Sequence, residues 1–145
     1  MKKIFCFFML ILITGLSACG GIKVGAASEY ITNTKQGAAL TIIEATPTSA
    51  VYQVTNETSS ELSTGNANVI DLEVEQNGTW YQIDVGERSF TTEALLIEDG
   101  QVCKLETTWQ SSYGTLPKGH YRILKGFSMG PFPSNFILSA EFEIN

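Results

Sequence analysis

Ile70-Asp71-Leu72-Glu73-Val74-Glu75-Gln76-Asn77-Gly78-Thr79-Trp80-Tyr81-Gln82-Ile83 is the stretch whose reading decides the fold. Ile70, Leu72 and Val74 alternate with Asp71, Glu73 and Glu75, the period of two that marks a strand with one face in a core and the other in water. Asn77-Gly78 then interrupts the run. A two-residue type I′ turn needs positive φ at both central positions, which Asn and Gly tolerate best, so the pair predicts a hairpin. Thr79 to Ile83 is β-branched and aromatic and forms its return strand.

The same grammar extends in both directions. Upstream, Leu40 and Ile42 alternate with Thr41 and Ile43, Thr46-Pro47-Thr48-Ser49 turns the chain, and Val51 to Val54 resumes before a polar loop at Asn56 to Glu61. Downstream, Asp99-Gly100 does turn work similar to Asn77-Gly78 ahead of Gln101 to Trp109, which places Cys103, Leu105, Thr107 and Trp109 on one face. Gly119 precedes Tyr121 to Leu124, and a last strand from Asn135 to Ile144 aligns Phe136, Leu138, Ala140, Phe142 and Ile144. No amphipathic helix of useful length follows residue 19. Seven to eight strands at this spacing predict an all-β sandwich.

The chain opens differently. Met1-Lys2-Lys3 is a positive start, Ile4 to Leu16 is almost wholly apolar, and Leu16-Ser17-Ala18 leads into Cys19. The apolar run is shorter than the roughly 20 residues a spanning helix needs. Small residues before a cysteine form a lipobox, the pattern of bacterial lipoproteins. Residues 1–18 are therefore expected to be a signal peptide, with Cys19 carrying a diacylglycerol that anchors the chain to the lipid bilayer at the extracytoplasmic face of the cell membrane. Each buried methylene is worth about 0.8 kcal/mol, so two acyl chains hold where one does not. Residues 19–36, small and polar, read as a flexible tether, and 37–145 as one domain.

Loss of Lys2 and Lys3 takes the formal charge from −6 to −8. That disfavours nucleic acid and anionic lipid headgroups as partners, since both attract positive charge. With Cys6 in the signal and Cys19 acylated, Cys103 is left alone, and no intrachain disulfide is available.

The run Tyr113-Gly114-Thr115-Leu116-Pro117-Lys118-Gly119-His120-Tyr121-Arg122-Ile123-Leu124-Lys125 resembles the signature of a bacterial immunoglobulin-like domain family, and Asn77-Gly78-Thr79-Trp80-Tyr81 resembles that family's hairpin. Glu98-Asp99-Gly100 departs from its usual Pro-Gly turn. The resemblance covers residues 37–145 and implies an immunoglobulin-like β-sandwich, found in small lipoproteins and beside membrane sensors and peptidase-like proteins, with no catalytic motif to carry over. Gly119 two residues before Tyr121 resembles a tyrosine corner, in which the phenol bonds back to nearby backbone. Tyr121 and Trp80 are accordingly expected as framework residues.

Catalytic chemistry finds little material. His120 is the only histidine and should face away from Tyr121 and Ile123, towards solvent, whereas Cys103 aligns with the inward Leu105. A Cys–His pair needs an exposed thiolate beside its base, a serine triad needs the same imidazole, and zinc needs more ligands than one His and one thiol. No cofactor motif is present. Asp71, Glu73 and Glu75, spaced nearly 7 Å apart on a flat strand, read as a solvated face that discourages edge association rather than as a cation site. Asn56-Glu57-Thr58 and Asn77-Gly78-Thr79 match the glycosylation pattern, which means little in a bacterial lipoprotein.

The feature read as a contact site is the loop Gly126 to Ser134, where Phe127, Met129 and Phe132 add apolar content to a turn between the last two strands. The alternative is that its aromatics fold back and plug the end of the sandwich. The expectation is a non-catalytic, membrane-anchored interaction module whose partner is an extracytoplasmic protein or a glycan. The alternative is a regulatory or inhibitory lipoprotein acting on an extracytoplasmic peptidase or membrane sensor.

Overall fold

The computed structural model describes residues 21–130 and 134–145; residues 1–18, expected to be a signal peptide, Cys19 and Phe132 lie outside them. Ten strands follow in order: β1 (Lys23–Ala27), β2 (Ala38–Ala45), β3 (Ser49–Asn56), β4 (Leu62–Gly65), β5 (Asp71–Gln76), β6 (Thr79–Asp84), β7 (Ala94–Ile97), β8 (Val102–Thr108), β9 (Gly119–Met129) and β10 (Phe136–Ile144). No helix among the described residues is long and apolar enough to cross a membrane.

The hairpin forms as its sequence demands: Asn77 has φ 53° and Gly78 φ 81°, and Gln76 pairs with Thr79. Asn77-Gly78-Thr79 is thereby accounted for as turn chemistry. Two sheets pack face to face. The larger has seven strands, running β1-β6-β5-β9 with β10 on the far side of β9, while β4 and β7 extend it beside β5. The smaller is β2-β3-β8. Their inner faces meet in one core that includes Tyr52 and Val54 of β3, Leu72 and Val74 of β5, Tyr121 and Ile123 of β9, and Leu138 and Phe142 of β10. All five aligned residues of the last strand reach this core or pack against it.

Three strands were not legible in advance. β1 falls within the expected tether and corrects it: Lys23 pairs with Asp84 and Val24 with Ile83, so the segment is an edge strand of the larger sheet. From that edge the chain reaches the opposite one, where Asn33 (φ 58°) donates its backbone N–H to Ile137 and accepts from Ser139 through its side chain. On the way Ser28 receives a hydrogen bond from Arg122. The segment thus crosses the outer face of the sheet and satisfies part of the β10 edge, which would otherwise invite pairing. β4 and β7 pair with each other, Leu62 opposite Ile97. Since β7 pairs in one sheet and β8 in the other, the turn with Gly100 at φ 79° is a crossing between sheets, not a second hairpin.

The crossing segment explains why the acidic stripe is not uniformly solvated. Glu73 is only 1% exposed and pairs with Arg122 directly across the sheet, with Oε2 2.7 Å from Nε and 2.6 Å from Nη2. Arg122 lies 4.6 Å from the Trp80 ring centroid, so Trp80 works as framework on the outer face rather than in the core.

Candidate functional site

Three connections converge beside the end of β8: residues 66–70 before β5, 85–93 between β6 and β7, and 109–118 ahead of β9. The first is pinned from beneath. Lys125 is 1% exposed, and its amine donates to the carbonyls of Gly65 (3.1 Å), Asn66 (2.8 Å) and Val69 (3.1 Å). Burial pushes that amine down to about 8, because a charged group loses hydration there. Tyr52 adds a bond from its hydroxyl to the Ala67 carbonyl at 2.8 Å, and burial raises its phenol above the ordinary value. Gly65 allows the fold-back, since a Cβ there would sit 2.8 Å from the Val69 side chain.

So held, the loop presents two amides. Asn66 donates to the Thr91 hydroxyl at 2.8 Å, tying the first connection to the second. Asn68 accepts through Oδ1 from the Thr107 hydroxyl and the Thr108 N–H, tying it to β8. Its Nδ2 makes no hydrogen bond to another described residue, and Asn68 is an exposed residue. Arg88 anchors the second connection by donating to the Ile70 carbonyl at 2.7 Å and to the Asp71 carboxylate. Its guanidinium lies between two rings, 5.3 Å from the centroids of both Phe90 and Tyr113. Burial pushes the Tyr113 phenol up to about 12, against the pull of Arg88. Its hydroxyl accepts from the Leu72 N–H.

The result is a pocket of ≈ 610 Å³ bordered by Asn66, Asn68, Glu87, Arg88, Ser89, Phe90, Ser111 and Ser112. Phe90 and Thr91 also border a groove of ≈ 830 Å³ that runs past Ile31, Gly65 and Gly126. Both volumes fall within the range of ligand-binding clefts. Phe90, 40% exposed, is the aromatic ridge between them.

The described part of the loop expected to make contacts is placed otherwise. Gly126 to Met129 continue β9, and Phe127 is 3% exposed with its ring stacked on Phe136 at 5.6 Å. Met129 is half-buried against the core and pairs with Leu62. Phe127 and Met129 are therefore packing residues, because the strand pairing continues four residues past where turn-type composition suggested it would stop. The groove that Phe127 helps to line opens elsewhere, towards Phe90.

Other expectations resolve plainly. Tyr121 closes a tyrosine corner by donating to the Pro117 carbonyl at 2.7 Å, and burial raises its phenol. His120 is on the outer face, 2.9 Å from Glu141 and 5.1 Å from the Trp80 ring. Cys103, half-buried rather than fully enclosed, faces the core from the other sheet, so the larger sheet lies between thiol and imidazole. Asn56 of the first glycosylation-like triplet is fully buried, with Nδ2 on the Ser60 and Ile97 carbonyls and Oδ1 accepting from Thr58. That triplet organises a loop. Among the described residues no group of three or more His, Cys, Asp or Glu could hold a metal ion. The pocket residues had no periodic signal; at most, Arg88 and Phe90 in a segment without alternation could have marked a structured loop.

Comparison with protein families matches residues 34–143 to the model described as a bacterial Ig-like domain. The chain belongs to this family. A search of curated proteins found no match. The family match agrees with the observed two-sheet architecture and points to a binding or interaction module.

Proposed function

We propose that this Ig-like domain is a non-catalytic interaction module anchored to the extracytoplasmic face of a bacterial membrane through lipidated Cys19, where it engages a protein or a glycan outside the cell. The observation that carries the anchor is Leu16-Ser17-Ala18-Cys19 behind an apolar run and a dibasic start. The family match supports the binding role. Because β1 begins at Lys23, four residues beyond Cys19, the connection can extend at most about 14 Å. The domain then works close to the membrane rather than on a long leash.

Replacement Cys19→Ser tests the anchor. The native chain partitions into the detergent phase and sediments with membranes, whereas the variant becomes soluble or is retained as an unprocessed precursor. A processed variant that still fractionates with membranes refutes lipid anchoring. Cross-linking in intact cells identifies the neighbour, and recovery of a membrane peptidase or sensor would make the role regulatory.

A further inference from the structure

The pocket beside Phe90 combines features that suit one ligand chemistry. Its free hydrogen-bonding groups are small and mixed in kind: the Asn68 amide nitrogen, the Ser89 and Ser111 hydroxyls and the Glu87 carboxylate. The one strong cation, Arg88, is already committed to Ile70 and Asp71, so no charge is left to hold an anion. The chain's net negative charge opposes an anionic ligand further. The Arg88 guanidinium sits over the Phe90 ring, and the residue is still 40% exposed. Donors and acceptors set around an accessible aromatic face match an uncharged sugar, whose hydroxyls exchange hydrogen bonds with amide, hydroxyl and carboxylate while its C–H face packs on the ring. A protein partner would be expected to find a larger apolar centre. The loop bearing Asn66 and Asn68 is pinned by Lys125 and Tyr52, so this wall of the pocket is held in place, which lowers the cost of ordering it on binding.

We propose that this pocket binds a short neutral oligosaccharide, with Phe90 as the stacking platform and Asn68, Glu87 and Ser111 as hydroxyl partners. The inference rests on the interaction-module reading and gives it a ligand class.

The test is saturation-transfer difference NMR on the full chain in detergent micelles, with chitotriose, maltotriose, cellotriose and mannotriose as probes. At least one trisaccharide is expected to show saturable enhancement, strongest on ring C–H protons. Phe90→Ala should weaken it about tenfold and Asn68→Ala by a smaller factor, while Phe90→Tyr preserves it. Unchanged melting of Phe90→Ala ensures that its loss of binding is local. Absence of saturable binding for all four probes, or binding by Phe90→Ala within about twofold of the native chain, overturns the proposal. A protein neighbour captured by cross-linking in cells, with all four sugars failing, would sink the sugar site and leave the interaction module standing.

Discussion

The two halves of β9 carry similar residues to different ends. From Tyr121 to Leu124 the strand is flanked by β5 and β10, with Val74 opposite Tyr121 and Phe142 on the other side. Tyr121 is bonded to Pro117, and Arg122 is locked to Glu73. From Lys125 onward β5 has diverged and β4 takes its place only at Ser128 and Met129. In the gap, the Lys125 amine substitutes for a neighbouring strand by collecting the carbonyl of Gly65 at the end of β4 and two carbonyls of the loop that follows. The first half is closed and makes framework. The second leaves a break in the sheet, and the pocket and groove form beside that break. A sheet that splits must satisfy its backbone by other means, and the side chains that do so also shape the concavity.

The largest effect should come from the closed half. Arg122→Ala leaves the Glu73 carboxylate buried and unpaired, and should cost about 3–5 kcal/mol in chemical denaturation. The double change of Arg122→Met with Glu73→Leu removes both charges and should recover most of that loss. If the double variant is as unstable as the single one, the pair is not what holds the half together.

Lys125→Met probes the open half. Three carbonyls lose their donor, and a destabilisation of about 1–3 kcal/mol is expected near neutral pH, where the amine still carries three protons. Its pH signature distinguishes it from Arg122. The folded amine releases its proton near 8 and the unfolded one near 10.5. Between those values the unfolded chain binds more protons, so this group's contribution to stability rises with pH across the window. The difference between native chain and variant should widen through it, on the order of 1–3 kcal/mol. A pH-independent difference would mean that Lys125 acts by packing alone.

Tyr121→Phe is the smallest change. It removes one hydrogen bond to Pro117 and should lower stability by about 1 kcal/mol without disturbing the pocket. Altered ligand binding in that variant would show that the two halves are coupled rather than separate.

What could be read in advance followed from local rules. The Ile70–Val74 alternation, the Asn77-Gly78 turn and the Tyr113–Lys125 signature specify strand, hairpin and corner, because backbone φ preference and side-chain period act over a few residues. The all-β sandwich was legible for the same reason, and its Ig-like character through the resemblance that the Tyr113–Lys125 run carries. Local composition misled where long-range pairing prevailed: Gly126 to Met129 look like a loop, and Lys23 to Ala27 like a tether, until β4, β10 and β6 supply hydrogen-bonding partners. Glu73 looked solvated because alternation reports direction, not what crosses above it. The pocket was invisible to any pattern in the chain, since Asn68, Arg88, Phe90 and Ser111 sit on three separate connections and meet only when the sheet divides. Neighbours in sequence settle conformation through torsional preference; neighbours in space settle burial, pairing and concavity, and those depend on contacts made far along the chain.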